Sequence, residues 1–288
     1  MPDRAHTLPV TRVLAHPQGG RFFRLGPSPW PEGRNNRPGK SMEEAHKETR
    51  NLVNAGHRLG SAEVIDLLHR LDHRSEAPQS SGASSVVKLA RQRLLVSVAL
   101  KMVKESNVEW SAATIIATKN VPLRNQLGNL HIYDEIGRRI GKVFGALPNM
   151  PAIGGLEISI NEAANGWHDP RIVEHAHVIF PLSCAERVRK VLKEEFPATR
   201  GIKRPVHIQD FDGSARGLAY IFKNLTMRRI ELAPDAEGKV GTRWKPLRCD
   251  ERLDLALAED RAGLDACTFA RNLRIVIRDG HLHLVKTT

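Results

Sequence analysis

The stretch Glu174-His175-Ala176-His177-Val178-Ile179-Phe180 places two imidazoles one residue apart. Side chains in a strand alternate between its faces. Read as a strand, this segment points His175 and His177 one way and Ala176, Val178 and Phe180 into a core. Two imidazoles at i and i+2 can share one metal ion. Nitrogen ligands suit Mn²⁺ and the later transition metals, and a carboxylate with open water positions also admits Mg²⁺. A carboxylate stands upstream: Leu156, Ile158 and Ile160 share one face, which leaves Glu157 on the other. If the two strands pair, Glu157 faces the same side as the histidines. With 13 histidines in 288 residues, random placement yields about half a His-x-His pair, so the bare pattern is weak. A second pair, His281-Leu-His283, has no acidic strand beside it and ranks lower.

The other chemical segment is Arg216-Gly-Leu-Ala-Tyr220-Ile-Phe-Lys223-Asn-Leu225. Leu218, Ile221, Phe222 and Leu225 follow one helical face. Tyr220 and Lys223 fall on the opposite face, with Arg216 one turn before Tyr220. A phenol beside cations can attack a phosphate, because the cations favour phenolate over its ordinary pKa of ~10. The plainer role is a surface tyrosine with basic neighbours.

The surrounding elements must hold these groups. A capping-box pattern, Ser41-Met-Glu-Glu44, predicts a helix to about Gly56. A second helix is expected from Ser61 to Leu71, a Ser/Gly linker over 77–85, and a long helix from Val86 to Glu105. These helices could form a DNA-reading helix-turn-helix, although plain helical packing is commoner. Strands are expected at Ala113–Thr118, Leu156–Ile160, Ile172–Phe180, Val206–Phe211 and Arg228–Leu232. Helices are expected from Pro122 to Leu147, from a second capping box at Ser183-Cys-Ala-Glu186 to before Pro197, and from Ser214 to Leu225. Helices near 253–259 and 264–271 and a hairpin turning at Arg278-Asp-Gly-His281 complete the reading. The fold class is α+β, with an antiparallel sheet and packed helices. The regions are a basic, Pro- and Gly-rich arm over 1–40, expected to be disordered, a helical region over 41–108, a sheet domain over 109–232, and C-terminal helices and hairpin over 233–288.

The net charge of +12 favours polyanionic partners. Three scattered cysteines, Cys184, Cys249 and Cys267, exclude a disulfide scaffold and a paired-cysteine zinc site. No apolar run is long enough to span a bilayer, and no secretory signal is evident. A cytoplasmic protein without a membrane partner is expected.

Taken in order, Gly155-Leu-Glu-Ile-Ser159, Gly166-Trp-His168, His175-Ala-His177-Val-Ile-Phe180 and Tyr220-Ile-Phe-Lys223 resemble the HUH endonucleases. The likeness is to the rolling-circle replication initiators of plasmids and phages, and it covers residues 110–232. It implies that His175, His177 and a third ligand, Glu157 or His168, hold Mg²⁺ or Mn²⁺ against a phosphate of single-stranded origin DNA. It implies that Tyr220 is the nucleophile, that Lys223 assists it, and that a 5′-phosphotyrosine and a free 3′-OH primer result. Arg216 and the aromatics Trp110 and Trp167 are expected to touch DNA. A host helicase and polymerase would follow as partners. The sequence departs from the pattern where residues 169–174 separate Trp167-His168 from the histidine pair. Ile115-Ile-Ala-Thr118 is a weak match to the family's first motif. Asn224 stands where a second tyrosine would stand, and no phosphate-binding helicase loop is present. A transposase or relaxase of the same superfamily, or a non-catalytic basic DNA-binding protein, are the alternatives.

Overall fold

The computed structural model describes residues 7–9, 42–59, 62–71, 82–122, 131–164, 170–199, 202–223, 226–234, 240–263, 265–278 and 281–286. Three helices come first: α1 (Met42–Leu59), α2 (Ala62–Leu71) and α3 (Ser85–Glu105). In α2 the buried residues Val64, Leu67, Leu68 and Leu71 repeat at i, i+3, i+4 and i+7, the stripe of a helix packed on one side. In α3 the burial runs almost all round, from Leu89 to Ala99. That helix lies between α1 and the sheet, so both its sides are covered. Ser84 caps it, its hydroxyl accepting from the Val87 N–H at 3.3 Å.

The chain then runs β2 (Trp110–Pro122), α4 (Asp134–Gly145), β3 (Ala152–Ala163), β4 (Arg171–Pro181), a 3₁₀ turn (Leu182–Cys184), α5 (Ala185–Glu195) and β5 (Val206–Phe211). These four strands lie in the order β5-β2-β4-β3, every pair antiparallel. This β-α-β-β-α-β order is the ferredoxin-like split βαβ arrangement. Next come α6 (Ala215–Ile221), β6 (Arg228–Pro234), β7 (Val240–Lys245), α7 (Cys249–Ala262) and β8 (Thr268–Arg271). Two strands share the free edge of β3: β6 runs parallel to its end, and β8 runs antiparallel to its beginning. β7 pairs β6 and extends the sheet to seven strands. A small second sheet joins β1 (Thr7–Pro9), β9 (Leu273–Arg278) and β10 (His281–Lys286).

Alternation in the central strands sorts the sheet into two faces. Ile115, Leu156, Ile158, Ala176, Val178 and Phe180 meet Ile136, Ile140 and Phe144 of α4 and Val188 and Leu192 of α5. Each fully buried Val, Leu, Ile or Phe among them contributes roughly 1.5–3 kcal/mol. On the opposite face Ile153 and Ile179 meet α3 and α6 through Leu95, Ala99, Leu218 and Ile221.

The class is thus mixed α and β, as expected, with several corrections. The sheet is mixed rather than wholly antiparallel, because β6 joins β3 in parallel. Strand β2 continues to Pro122, where a helix was expected to begin, and α4 starts only at Asp134. The Ser183 capping box does not form: a 3₁₀ turn occupies that position and α5 begins at Ala185. Where a helix was expected over 264–271, Thr268–Arg271 is instead β8, drawn into the sheet by pairing with Ala152–Gly155. Strand β7 was not anticipated. Most of the 1–40 arm and the 77–81 part of the linker lie outside the described residues, while Thr7–Pro9 pairs with β9. In the C-terminal region, Leu253 and Ala256 of α7 pack with Leu52, Leu67 and Leu71 of α1 and α2.

Candidate functional site

Glu157 and His175 are direct cross-strand partners, and His177 is paired with Gly155. All therefore project to the face that α3 and α6 partly cover, as the alternation predicted. The His177 ring lies between two partners, Nε2 at 3.1 Å from Glu157 Oε1 and Nδ1 at 3.0 Å from Thr114 Oγ1. An ionised carboxylate only accepts, so the Nε2–H donates to Glu157 and the Thr114 hydroxyl serves Nδ1. A hydroxyl both donates and accepts. Thr114 can therefore also support the other tautomer, in which Nε2 carries a free lone pair for a metal. His175 turns its Nε2 to Ser159 Oγ at 3.0 Å, and Ser159 donates to Asn161 Oδ1 at 2.9 Å.

The electrostatics suit a ligand set. Burial presses the Glu157 carboxyl upward, but the hydrogen bond and charge of His177, with Lys223 and His175 beyond, hold it below its usual value. It is a carboxylate at neutral pH. Burial keeps His175 neutral, its pKa lowered to about 4 against the opposing pull of Glu157. A neutral imidazole is the form that ligates. The donor chemistry thus fits a divalent ion, with an imidazole pair and a carboxylate on one face. The three are not drawn to a common point, however. Among the described residues no three His, Cys, Asp or Glu side chains form a ready metal cluster, because His175 faces Ser159 rather than Glu157.

Helix α6 brings Tyr220 to this face. Ser214 caps it, accepting from the Gly217 N–H at 2.9 Å, and Leu218, Ala219 and Ile221 are buried beneath it. Tyr220 is 46% exposed. Its ring meets the His177 ring edge-on, centroids 4.9 Å apart. The helix ends at Ile221, so Lys223 lies in the turn beyond it rather than on the helical face expected. That turn folds the ammonium under the phenol, 3.6 Å from the ring centroid, and 3.4 Å from Glu157 Oε1. Gly155 makes this approach possible. A Cβ there would stand 2.4 Å from the Ile221 carbonyl oxygen and 3.2 Å from Phe222 Cα. The backbone at the end of α6 therefore rests directly on β3.

The remaining expected site residues divide. Arg216 is exposed on α6, one turn before Tyr220. Trp110 is corrected: it is 4% exposed, packs in the cluster of α3 and α6, and donates its indole N–H to Ser106 Oγ at 3.1 Å. It presents no face to a base. Trp167 and His168 lie outside the described residues, as does the Thr118 side chain. His283 belongs to the small sheet, its Nε2 3.3 Å from Lys101 Nζ. Thr114 and Ser159 were missed as partners of the histidines. Their signal was position alone: Ser159 is two residues after Glu157 and so on its face of β3, while Thr114 reaches His177 only through the pairing of β2 with β4. Comparison with family models, curated proteins and solved structures returned no match.

Proposed function

We propose that this chain is a replication initiator that nicks single-stranded origin DNA by tyrosine transesterification. The observation that carries the reading is the packing of Tyr220 and Lys223 over His177 and Glu157 on one sheet face. The Tyr220 phenol oxygen bonds to phosphorus as the bond from phosphorus to the 3′ oxygen breaks. The phenol proton is lost, the departing oxygen takes one up, and a 5′-phosphotyrosine and a 3′-OH remain. Lys223 steadies negative charge on the phenol oxygen or the phosphate. His175, His177 and Glu157 would hold Mg²⁺ or Mn²⁺, which supplies charge neutralisation and orientation of the phosphate. Arg216 adds a cation for the strand, and a host helicase and polymerase would extend the primer.

The test uses the full chain, Mn²⁺ and single-stranded DNA spanning the origin of the element that carries the gene. Wild type should yield a protein–DNA adduct that survives denaturation. Tyr220→Phe should bind DNA and form no adduct, and Tyr133→Phe should behave as wild type, because Tyr133 is buried at the start of α4. An adduct mapped to Tyr133 or to a serine, or one formed equally in EDTA, would refute the mechanism.

A further inference from the structure

The face that carries the histidines continues beyond them, across β3 onto the β6–β7 ribbon. Pairing aligns Arg171, Asn161, Arg229 and Trp244 in one cross-strand row. Asn161 is two residues after Ser159 and four after Glu157, so the row shares their face. A polar chain joins the two places. Ser159 meets His175 at 3.0 Å and Asn161 at 2.9 Å, and the Asn161 amide donates to Glu231 at 3.4 Å. Trp244 is 53% exposed, the most exposed large hydrophobic side chain among the described residues. The Arg229 guanidinium lies 5.8 Å from its ring centroid, at the outer limit of a cation–π contact. Arg243 and Lys245, its neighbours along β7, are exposed on the opposite face of the ribbon. Among the described residues of the ribbon, Glu231 is the one carboxylate on this side, and the Asn161 amide donates to it.

An indole left half in water on a rigid ribbon, backed by the Arg229 guanidinium and with Arg171 in the same cross-strand row, is the chemistry of a base-stacking platform on single-stranded nucleic acid. Strand geometry puts Trp244 about 16 Å from Glu157: four residues along β3 and two strand spacings across. We propose that Trp244, supported by Arg229, stacks a base of the same DNA strand a short way from the scissile phosphate. The inference rests on reading the histidine face as one that carries a single DNA strand.

Labelled single-stranded oligonucleotide of mixed sequence is titrated with the full chain in EDTA, where no cleavage occurs, and followed by anisotropy. Trp244→Ala should weaken binding by about five-fold to a hundred-fold, the effect of one lost base stack. Trp244→Phe should retain most of the affinity. Indole fluorescence provides a second readout should the alanine variant fold poorly. DNA should quench wild type, and the quench should be largely lost in Trp244→Phe. Unchanged affinity in Trp244→Ala, or a quench undiminished in Trp244→Phe, overturns the platform even where the Tyr220 adduct forms. Trp244-dependent binding without any adduct supports the platform and refutes the nicking chemistry.

Discussion

His177 has both ring nitrogens engaged, by Glu157 and by Thr114, so its tautomer depends on a residue that need not touch the ligand. Thr114→Val keeps the shape and branching of the side chain in β2 and removes only the hydroxyl. Loss of such an outer partner costs about ten- to a hundred-fold in metal affinity. Calorimetric titration with Mn²⁺ should show that loss with an unchanged thermal midpoint, and equal affinity in both proteins would remove Thr114 from the site. His175→Ala and His177→Ala should lose both metal binding and nicking. His283→Ala should lose neither, since its partner is Lys101 in α3. The opposite result would move the ion to the C-terminal hairpin.

At the scale of elements, the position of α6 depends on a missing side chain. Gly155→Ala puts a methyl 2.4 Å from a backbone carbonyl, a contact relieved only if α6 or β3 shifts. Adduct formation should then fall by at least ten-fold while the sheet remains folded. Circular dichroism with the nicking assay separates these effects, and a Gly155→Ala protein of wild-type rate would show that α6 need not sit so close. Much of this site was legible in the sequence because strand alternation is local. The side to which Glu157, His175 and His177 point follows from their apolar neighbours, and the Leu218–Ile221 stripe fixes which side of α6 Tyr220 leaves. What was not legible depends on distant pairing. Residues 268–271 are too few to establish a period, and β3 decides that they are extended. Trp110 becomes core only because α3 and α6 cover its end of β2. Lys223 leaves the helix because α6 stops after seven residues, two before the motif ends.

For the whole molecule, charge acts both outside and inside. The +12 net charge should make affinity for single-stranded DNA fall with salt, with a log–log slope of about 0.7 per phosphate engaged. Affinity unchanged between low and moderate salt would count against a nucleic-acid partner. Inside, α7 braces the fold: Lys88 of α3 pairs with Glu259, and the buried Arg228 of β6 bonds to Glu251 as well as Glu162. The Arg228 Nε lies 2.8 Å and 3.0 Å from the two Glu251 oxygens. Arg228→Ala, which strands a buried carboxylate, should cost about 3–5 kcal/mol. Burial alone would raise the Glu251 pKa, but the hydrogen bonds from Arg228 and the Arg248 N–H, with their charges, carry it below its ordinary 4.5. The folded chain therefore takes up this proton less readily than the unfolded one. Linkage makes the stabilisation complete above about pH 4.5 and progressively lost as pH falls through the lower folded value. Glu251→Gln removes the charge at every pH and weakens charged hydrogen bonds worth about 1.5–3 kcal/mol. The thermal midpoint of wild type should exceed that of Glu251→Gln by a constant margin from pH 7 to 5. That margin should narrow below pH 4.5, because wild type then loses what the variant never had. A margin that stays constant down to pH 3 would mean that the Glu251 charge does not help to hold α7 against β6.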